Sequence, residues 1–357
     1  MVKLRLTNLK SKIYKQKSTF HAFTIVELLV VIIVIGILAA ITIVSYSAIS
    51  SRVVTEKLKL DLSDGASRLK KYYFEYGAYP TSLGTDNCPA GSTGTSYCLK
   101  PSSDNSYSYS SASPYSTYCL TSTKGSQSNF IIQDGTQLSG PCPILYLDAS
   151  ISNSYSGVGD TWTDLSGRGY NGTLINGVGY SSSTTYGGTL SFDGVDDYVS
   201  DNLVPDSFWN SGSWTVSTWI NFNAVNRAVD NAIIGHGIAA VNNGLHLVER
   251  SARVYFGFYG NDASSNTILS AGIWYNIVVT YDNSSKLKQI YVNGVFDKSS
   301  GTVGYGGSGS NTRIGSYPFG SVVSLSGRIS NVQLQNLVLT KSEIEKNFDI
   351  QHGRFGL

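Results

Sequence analysis

Residues 213–223 read SWTVSTWINFN, and within them Trp214, Val216, Ile220 and Phe222 alternate to one side with Thr218 between. A period of two is that of a strand with one buried face. Downstream, IWYNIVVTYD (273–282) places Ile273, Tyr275, Ile277 and Val279 in the same way, and KQIYVNGVFD (288–297) holds the two-residue hairpin turn Asn293-Gly294. From Ile144 onward such short runs recur every 8–12 residues, the pattern of a sandwich or barrel. Residues 144–357 are therefore read as all-β. Alternation puts Trp214 and Trp219 on opposite sides of one strand, so at most one of them faces the core with that strand's apolar set. Trp219 is the better surface candidate for stacking a sugar ring, in a chain that also offers Trp209, Trp274 and 24 tyrosines.

The rest of the composition agrees. The chain has 357 residues, enough for two or three domains besides an anchor, with only 14% charged residues and 37 glycines. This suits an extracellular β-rich protein better than a cytosolic enzyme. Six of the 26 Lys and Arg lie in residues 1–22 with no Asp or Glu, which leaves 20 cations against 24 carboxylates, a net of −4, in the remainder. A basic nucleic-acid footprint is absent overall.

Six strings in order, DLSGRGYNGTLINGVGY (164–180), LSFDGVDDYV (190–199), WTVSTWINF (214–222), WYNIVVTYD (274–282), IYVNGVFD (290–297) and LSGRISNVQLQNLVLTKSEIEKNF (325–348), resemble the laminin-G-like members of the concanavalin A-like lectin/glucanase superfamily. The resemblance implies a jelly-roll sandwich closed by a short helix. Independently, Thr340 and Glu343 are spaced as a capping box, with Leu339 and Ile344 as its hydrophobic staple.

Hydrolases of that superfamily carry E-x-D-x-x-E on one strand. This chain has none: its glutamates are Glu27, Glu56, Glu75, Glu249, Glu343 and Glu345, and only Glu249 lies on a sandwich strand. His236 and His246 sit in strand-like runs with no nucleophile-elbow glycine motif beside a serine, so the module is read as non-catalytic. Asp193, Asp196 and Asp197 form the densest carboxylate group, and their oxygens suit calcium. The competing reading is a turn in which aspartates cap backbone amides.

At the other end, AFTIVELLVVIIVIGILAAITIV (22–44) holds one charge, Glu27. At about 1.5 Å per residue its apolar run spans about 30 Å, the thickness of a bilayer core. The basic segment before it holds the N-terminus in the cytoplasm, so the chain beyond Val44 is exported. Ile49, Val53, Leu58, Leu62, Ala66, Leu69, Tyr73 and Tyr76 continue at helical spacing until Gly77 and Pro80, with Lys57, Lys59, Asp61, Asp64, Arg68 and Lys70 on much of the other face.

The string A-F-T-I-V-E after a basic leader resembles the type IV prepilin signal, and YYFEYGAYPTSLG (72–84) resembles the turn from a pilin helix into its head. The resemblance implies cleavage between Ala22 and Phe23 by a prepilin peptidase, methylation of the new terminus, and pairing of Glu27 with an N-terminal amine during assembly with other pilin subunits on an inner-membrane platform. Ala22 stands where glycine is commoner, and Val44 where major pilins carry proline, so the chain is more similar to a minor pilin or pseudopilin.

All four cysteines, Cys88, Cys98, Cys119 and Cys142, lie in residues 84–143, and an even count in an exported chain reads as disulfides. Of three connectivities, Cys88–Cys98 and Cys119–Cys142 close the shortest loops, and the second pair matches the C-terminal loop of many pilins. Zinc is the rival, without a C-x-x-C pair or a nearby histidine. PSSDNSYSYSSASPYSTY (101–118) is read as an exposed loop, whereas YCLTST and NFIIQD are read as strands.

The expected organisation is a leader (1–22), a transmembrane and assembly helix (23–49), a small α+β pilin-like head (50–143) and a laminin-G-like all-β jelly-roll sandwich (144–357). The expected function is adhesion: a minor pilin-like subunit, a precursor in the cytoplasmic membrane, later displaying a module for a glycan or surface protein at the cell surface or pilus tip. The alternative is an assembly subunit of a secretion or DNA-uptake machine that uses the sandwich for subunit contacts.

Overall fold

Helix α1 (Ile25–Tyr76) runs for 52 residues and stops where Gly77, at φ 74°, adopts the left-handed conformation that side-chain-bearing residues resist. This computed structural model describes residues 24–91, 94–102, 104–200, 203–301, 303–307, 309, 311–319 and 323–357. It divides into two compact units, 1–53 and 54–357. Within the first, Ile25–Ile43 is long and apolar enough to cross a membrane, and none of it is buried. Ala22 and Phe23 lie outside the described residues.

In the second unit the helical period becomes a buried stripe. Leu62 and Leu69 pack with Leu99, Tyr118, Leu120 and Ile131, joined by Ala66 and Tyr73. Opposite them stands an antiparallel sheet of β1 (Ser106–Ser110), β2 (Cys119–Lys124), β3 (Gln127–Ile132) and β4 (Gln137–Ser139), in that order. Gly65 permits the close approach, because a Cβ there would stand 2.7 Å from Leu120 Cδ2.

Two expectations change here. The Ser/Tyr-rich segment is not all loop: Ser106–Ser110 alternates serine with tyrosine, and as β1 it turns Tyr107 and Tyr109 onto the head core. Asp61 is not on the solvated helix face. It is buried and accepts Ser102 N at 3.0 Å, Ser102 Oγ at 2.7 Å and Asn105 Nδ2 at 2.6 Å, tying the loop before β1 to the helix.

Beyond the head come β5 (Leu145–Asp148), β6 (Thr161–Trp162), β7 (Gly172–Ile175), β8 (Gly179–Ser183), β9 (Gly187–Asp193) and β10 (Tyr198–Val199). After the short α2 (Asp206–Asn210) follow β11 (Trp214–Phe222), β12 (Asn231–Gly237), β13 (Gly244–Arg250), β14 (Arg253–Gly257) and β15 (Ala263–Ser264). The last are β16 (Trp274–Asp282), β17 (Leu287–Val292), β18 (Val295–Gly301), β19 (Thr312–Ile314), β20 (Ser326–Gln335) and the closing helix α3 (Lys341–Gln351). One sheet runs β15, β14, β13, β12, β19, β10, β7, β6; the other runs β18, β17, β16, β11, β20, β9, β8, with β5 also paired to β20.

Between the sheets Trp214, Val216, Ile220 and Phe222 of β11 meet Leu245, Leu247, Val254 and Phe256. Asn293 at φ 51° and Gly294 at φ 74° form the tight hairpin between β17 and β18. Helix α3 begins with the capping box of Thr340 and Glu343, and Leu339 and Ile344 pack together against Val278 and Tyr291 on the sheet's outer face.

The expected boundary at residues 143/144 falls inside the second unit. Cys119, Phe130, Ile132 and Leu138 of the head share one buried cluster with Tyr146 and Leu165 of the sandwich. Asp164 staples the adjoining loop, accepting Tyr146 N at 3.0 Å, Ser166 N at 2.9 Å, Ser166 Oγ at 2.7 Å and Tyr170 N at 3.1 Å. Gly167, at φ 72°, brings that loop against β1, where a Cβ would lie 2.3 Å from the Ser110 carbonyl oxygen.

Candidate functional site

The turn from β9 to β10 carries Asp193, Asp196 and Asp197, each offering a carboxylate oxygen within 4.8 Å of the others. Two of these groups also do the capping work of a turn: Asp193 Oδ1 accepts Val195 N at 2.7 Å, and Asp197 Oδ2 accepts Asp193 N at 2.9 Å. What a turn does not explain is Asp197 Oδ1, which is buried and has no hydrogen-bond partner among the described residues. Burial chiefly, and then the charges of Asp193 and Asp196, push the Asp197 carboxyl above the usual range, with the Asp193 N–H opposing. A hard cation beside that oxygen would relieve both effects. Three carboxylates make half or less of a calcium shell of 6–8 oxygens, the remainder falling to water or ligand hydroxyls, so the donor set fits calcium.

The rim around the turn is braced from below. Glu249 on β13 is buried, and its Oε1 accepts Asn226 N at 2.8 Å and Ala252 N at 2.7 Å while Oε2 accepts Asn231 Nδ2 at 2.6 Å. Asn231 Oδ1 in turn accepts Arg227 Nη1 at 2.9 Å, and Arg227 Nη2 donates to the Gly194 carbonyl at 3.2 Å. Glu249 thus fixes three loops through one network, and both its oxygens are committed. The two histidines on sandwich strands are committed as well. His236 is fully buried, with Nδ1 2.6 Å from Tyr305 Oη, Nε2 3.0 Å from Asp206 Oδ1 and its ring stacked on Trp209. His246 Nε2 lies 2.8 Å from Asp262 Oδ1, in a network with Arg250, Asp230 and Tyr317 that sequence reading missed. Strand alternation puts His246 and Arg250 on one face, but Asp230, Asp262 and Tyr317 come from three separate loops.

Trp219 is the clear correction. It is buried rather than displayed, stacked on Phe355 with centroids 4.0 Å apart and on Phe348 at 5.7 Å. The alternation reading holds, since Trp219 does face away from the inter-sheet core, but α3 and the turn after it cover that outer face. Trp162, Trp209, Trp214 and Trp274 are buried too, so no tryptophan platform is exposed among the described residues.

At the N-terminal end Glu27 has a local role. Its Oε2 accepts Thr24 N at 2.8 Å and Thr24 Oγ1 at 2.9 Å, and Glu27 N donates back to Thr24 Oγ1 at 3.2 Å. T-I-V-E is a capping box, a signal present in the sequence. In the head the structure joins Cys88 to Cys98 and Cys119 to Cys142.

No curated protein matches the chain. Among solved structures it is similar to the botulinum neurotoxin type G receptor-binding domain, at 15% identity and a TM-score of 0.44, covering 58% of this chain and 51% of that one. It is also similar to a Trypanosoma rangeli sialidase, at 18% identity and a TM-score of 0.45, covering 60% of this chain and 33% of that one. A third is domain 4 of AbnA, a GH43 extracellular arabinanase from Geobacillus stearothermophilus solved with arabinotriose, at 16% identity and a TM-score of 0.45, covering 58% and 98%. The chain thus spans about half of the toxin domain and a third of the sialidase. Residues 193–345 match the family model of the concanavalin A-like lectin/glucanases superfamily, of the laminin G type. The part of the sandwich that begins at the aspartate turn is thus similar, over residues 193–345, to laminin-G-like domains of the concanavalin A-like lectin/glucanase superfamily.

Proposed function

We propose that this chain is a membrane-anchored, type IV pilin-like subunit that displays its lectin-like sandwich outside the cell as an adhesin for glycans, with calcium held at the rim by Asp193, Asp196 and Asp197. The observation that carries the reading is the order of parts: an apolar segment with no side chain buried, a helix continuing into a disulfide-linked head, and a lectin-like domain beyond it. A secretory signal also carries an apolar segment, but one that is cut away, whereas here the apolar segment and the head share one unbroken helix, Ile25–Tyr76. Binding rather than catalysis is supported by Glu249, the sandwich-strand glutamate, which is buried and accepts three hydrogen bonds from structural donors. Bulk favours a sparse position near a tip, because every neighbour in a shaft would have to clear the sandwich.

Processing tests the pilin part: the surface-exposed protein should begin at Phe23, methylated, by mass spectrometry, and an intact Met1 terminus on assembled protein rejects it. Glu27→Ala should insert in the membrane but be lost from sheared fibres. Equal recovery of variant and wild type in the sheared fraction would leave Glu27 as a helix cap alone. Stoichiometry separates the adhesin from the assembly subunit: the former is sparse and dispensable for fibre growth, the latter indispensable.

A further inference from the structure

Where the turn between β3 and β4 meets the sandwich, an open cleft of about 480 Å³ lies between residues 134–137, strand β5 and the end of α3. Small-ligand sites usually measure about 300–1,000 Å³. The cleft's ion pair is used internally: Arg354 Nη1 and Nη2 lie 3.1 and 3.3 Å from the Asp148 carboxylate, and Arg354 Nε donates to the Tyr186 carbonyl at 2.8 Å. Asp148 Oδ1 also accepts Ser150 N at 2.9 Å and Ser150 Oγ at 2.6 Å. The described lining therefore keeps no uncommitted cation for an anionic ligand.

What it does keep is an amphipathic set. Asp134 caps its own turn, accepting Thr136 N and Thr136 Oγ1 at 2.9 Å each, and a carboxylate has about four acceptor positions, so lone pairs remain. Gln351 accepts Asn331 Nδ2 through Oε1 at 3.4 Å, and its amide hydrogens donate to no protein group among the described residues. Ile350, half exposed, and Ile151 supply the apolar wall. On the other flank of the same turn a second cleft of about 160 Å³, bounded by Ala66, Ser67 and Lys70 of α1, shares Asp134 and Gly135 with the first. There Gln133 buries both atoms of its carboxamide with no partner for either. A buried amide left unpaired calls for a donor and an acceptor from outside the chain.

In the larger cleft, which Lys70 does not line, an apolar patch rimmed by free amide and carboxylate positions, with no spare cation, matches a sugar ring that has one C–H face and a rim of hydroxyls. We infer that this junction cleft binds a neutral hexose-based glycan, with Ile350 against a ring and Asp134 and Gln351 on its hydroxyls. The head contributes Asp134, and the closing helix contributes Ile350 and Gln351, so the site exists only when head and sandwich are joined. It shares the glycan ligand class of the proposed function but rests on neither the rim aspartates nor the pilin signal.

The test applies detergent-solubilised full-length chain to an array of immobilised neutral hexose oligosaccharides and their sialylated and sulfated counterparts, in EDTA. Wild type and Asp193→Asn should be retained equally on neutral glycans. Ile350→Trp, which fills the cleft from an already half-exposed position, should weaken retention at least about tenfold, and Gln351→Ala about threefold. Absence of retention on neutral glycans in EDTA, preference for the anionic ones, or unchanged retention in both cleft variants overturns the assignment. Should Ile350→Trp not fold, unchanged retention in Gln351→Ala overturns it alone. The rim reading fails by a different result, when added calcium does not raise the Tm of wild type above that of Asp193→Asn.

Discussion

Trp214 and Trp219 stand five residues apart on β11, point to opposite faces of one sheet, and are both buried. Their covers differ in kind. Trp214 lies between two sheets, in contact with Phe256, Phe258 and Tyr281, and its Nε1 donates to the Trp209 carbonyl at 3.1 Å. Trp219 is covered by a single helix and the turn that follows it, through Phe348 and Phe355. Alternation along a strand states which side chains share a face, whereas whether a face meets solvent is decided by what later chain is laid upon it.

The largest effect should come from Trp214→Ala. It removes an aromatic hub of the inter-sheet core and a buried hydrogen bond, costing about 3–5 kcal/mol, and chemical denaturation should show both sheets lost in one transition. Trp219→Ala should cost less, about 2–4 kcal/mol, because a helix on an outer face can relax into the gap. Hydrogen exchange should then show residues 341–355 losing protection while β12, β13 and β14 keep theirs. Equal loss in all of them would break the distinction between the two covers. Phe355→Leu keeps most of the apolar volume over Trp219 and should cost no more than about 1.5 kcal/mol, confined to the same segment.

The smallest effect is one of pH. His236 stacks beside Trp209 on the Trp214 side, and burial, outweighing its contact with Asp206, holds its imidazole pKa below the ordinary value of 6.5. The unfolded chain therefore binds the proton more readily than the folded one. Stability from this group is complete above about pH 6.5 and is lost as pH falls below it. Wild type should lose a few degrees of Tm between pH 7.5 and 5.0, and His236→Gln, though less stable at pH 7.5, should lose less over that interval.

Much of this was legible in the sequence. The strand at 214–222, the Asn293-Gly294 hairpin, the Thr340 capping box and the helix ending at Gly77 are local signals, set by periods and by residues with restricted or unusual backbone preferences. The aspartate turn was legible for the same reason, since its three carboxylates fall within five consecutive residues. Trp219 was misplaced because its cover, Phe348 and Phe355, lies about 130 residues downstream. The strand Ser106–Ser110 was readable, as its serine and tyrosine alternate with a period of two, but its low apolar content masked the pattern. The junction of head and sandwich was not readable at all. It depends on Gly167 meeting Ser110 and Tyr146 meeting Phe130, contacts between segments with no shared motif.

Under the proposed adhesive role, a bound cell would put the molecule under tension, with load entering at a loop of the sandwich and leaving through α1. Between them lies the run from Cys119 to Cys142, 23 residues along the chain but clamped by its disulfide to a Cα separation of 5.9 Å. At about 3.5 Å per residue that run could otherwise pay out roughly 80 Å of slack. The bridge diverts the pull past β2, β3 and β4 and straight into β5, which is paired along its length with β20 in the middle of the sheet. The bridge thereby takes β2, β3 and β4 out of any length the head could pay out, leaving the run between Tyr76 and Cys119 as the part that can lengthen.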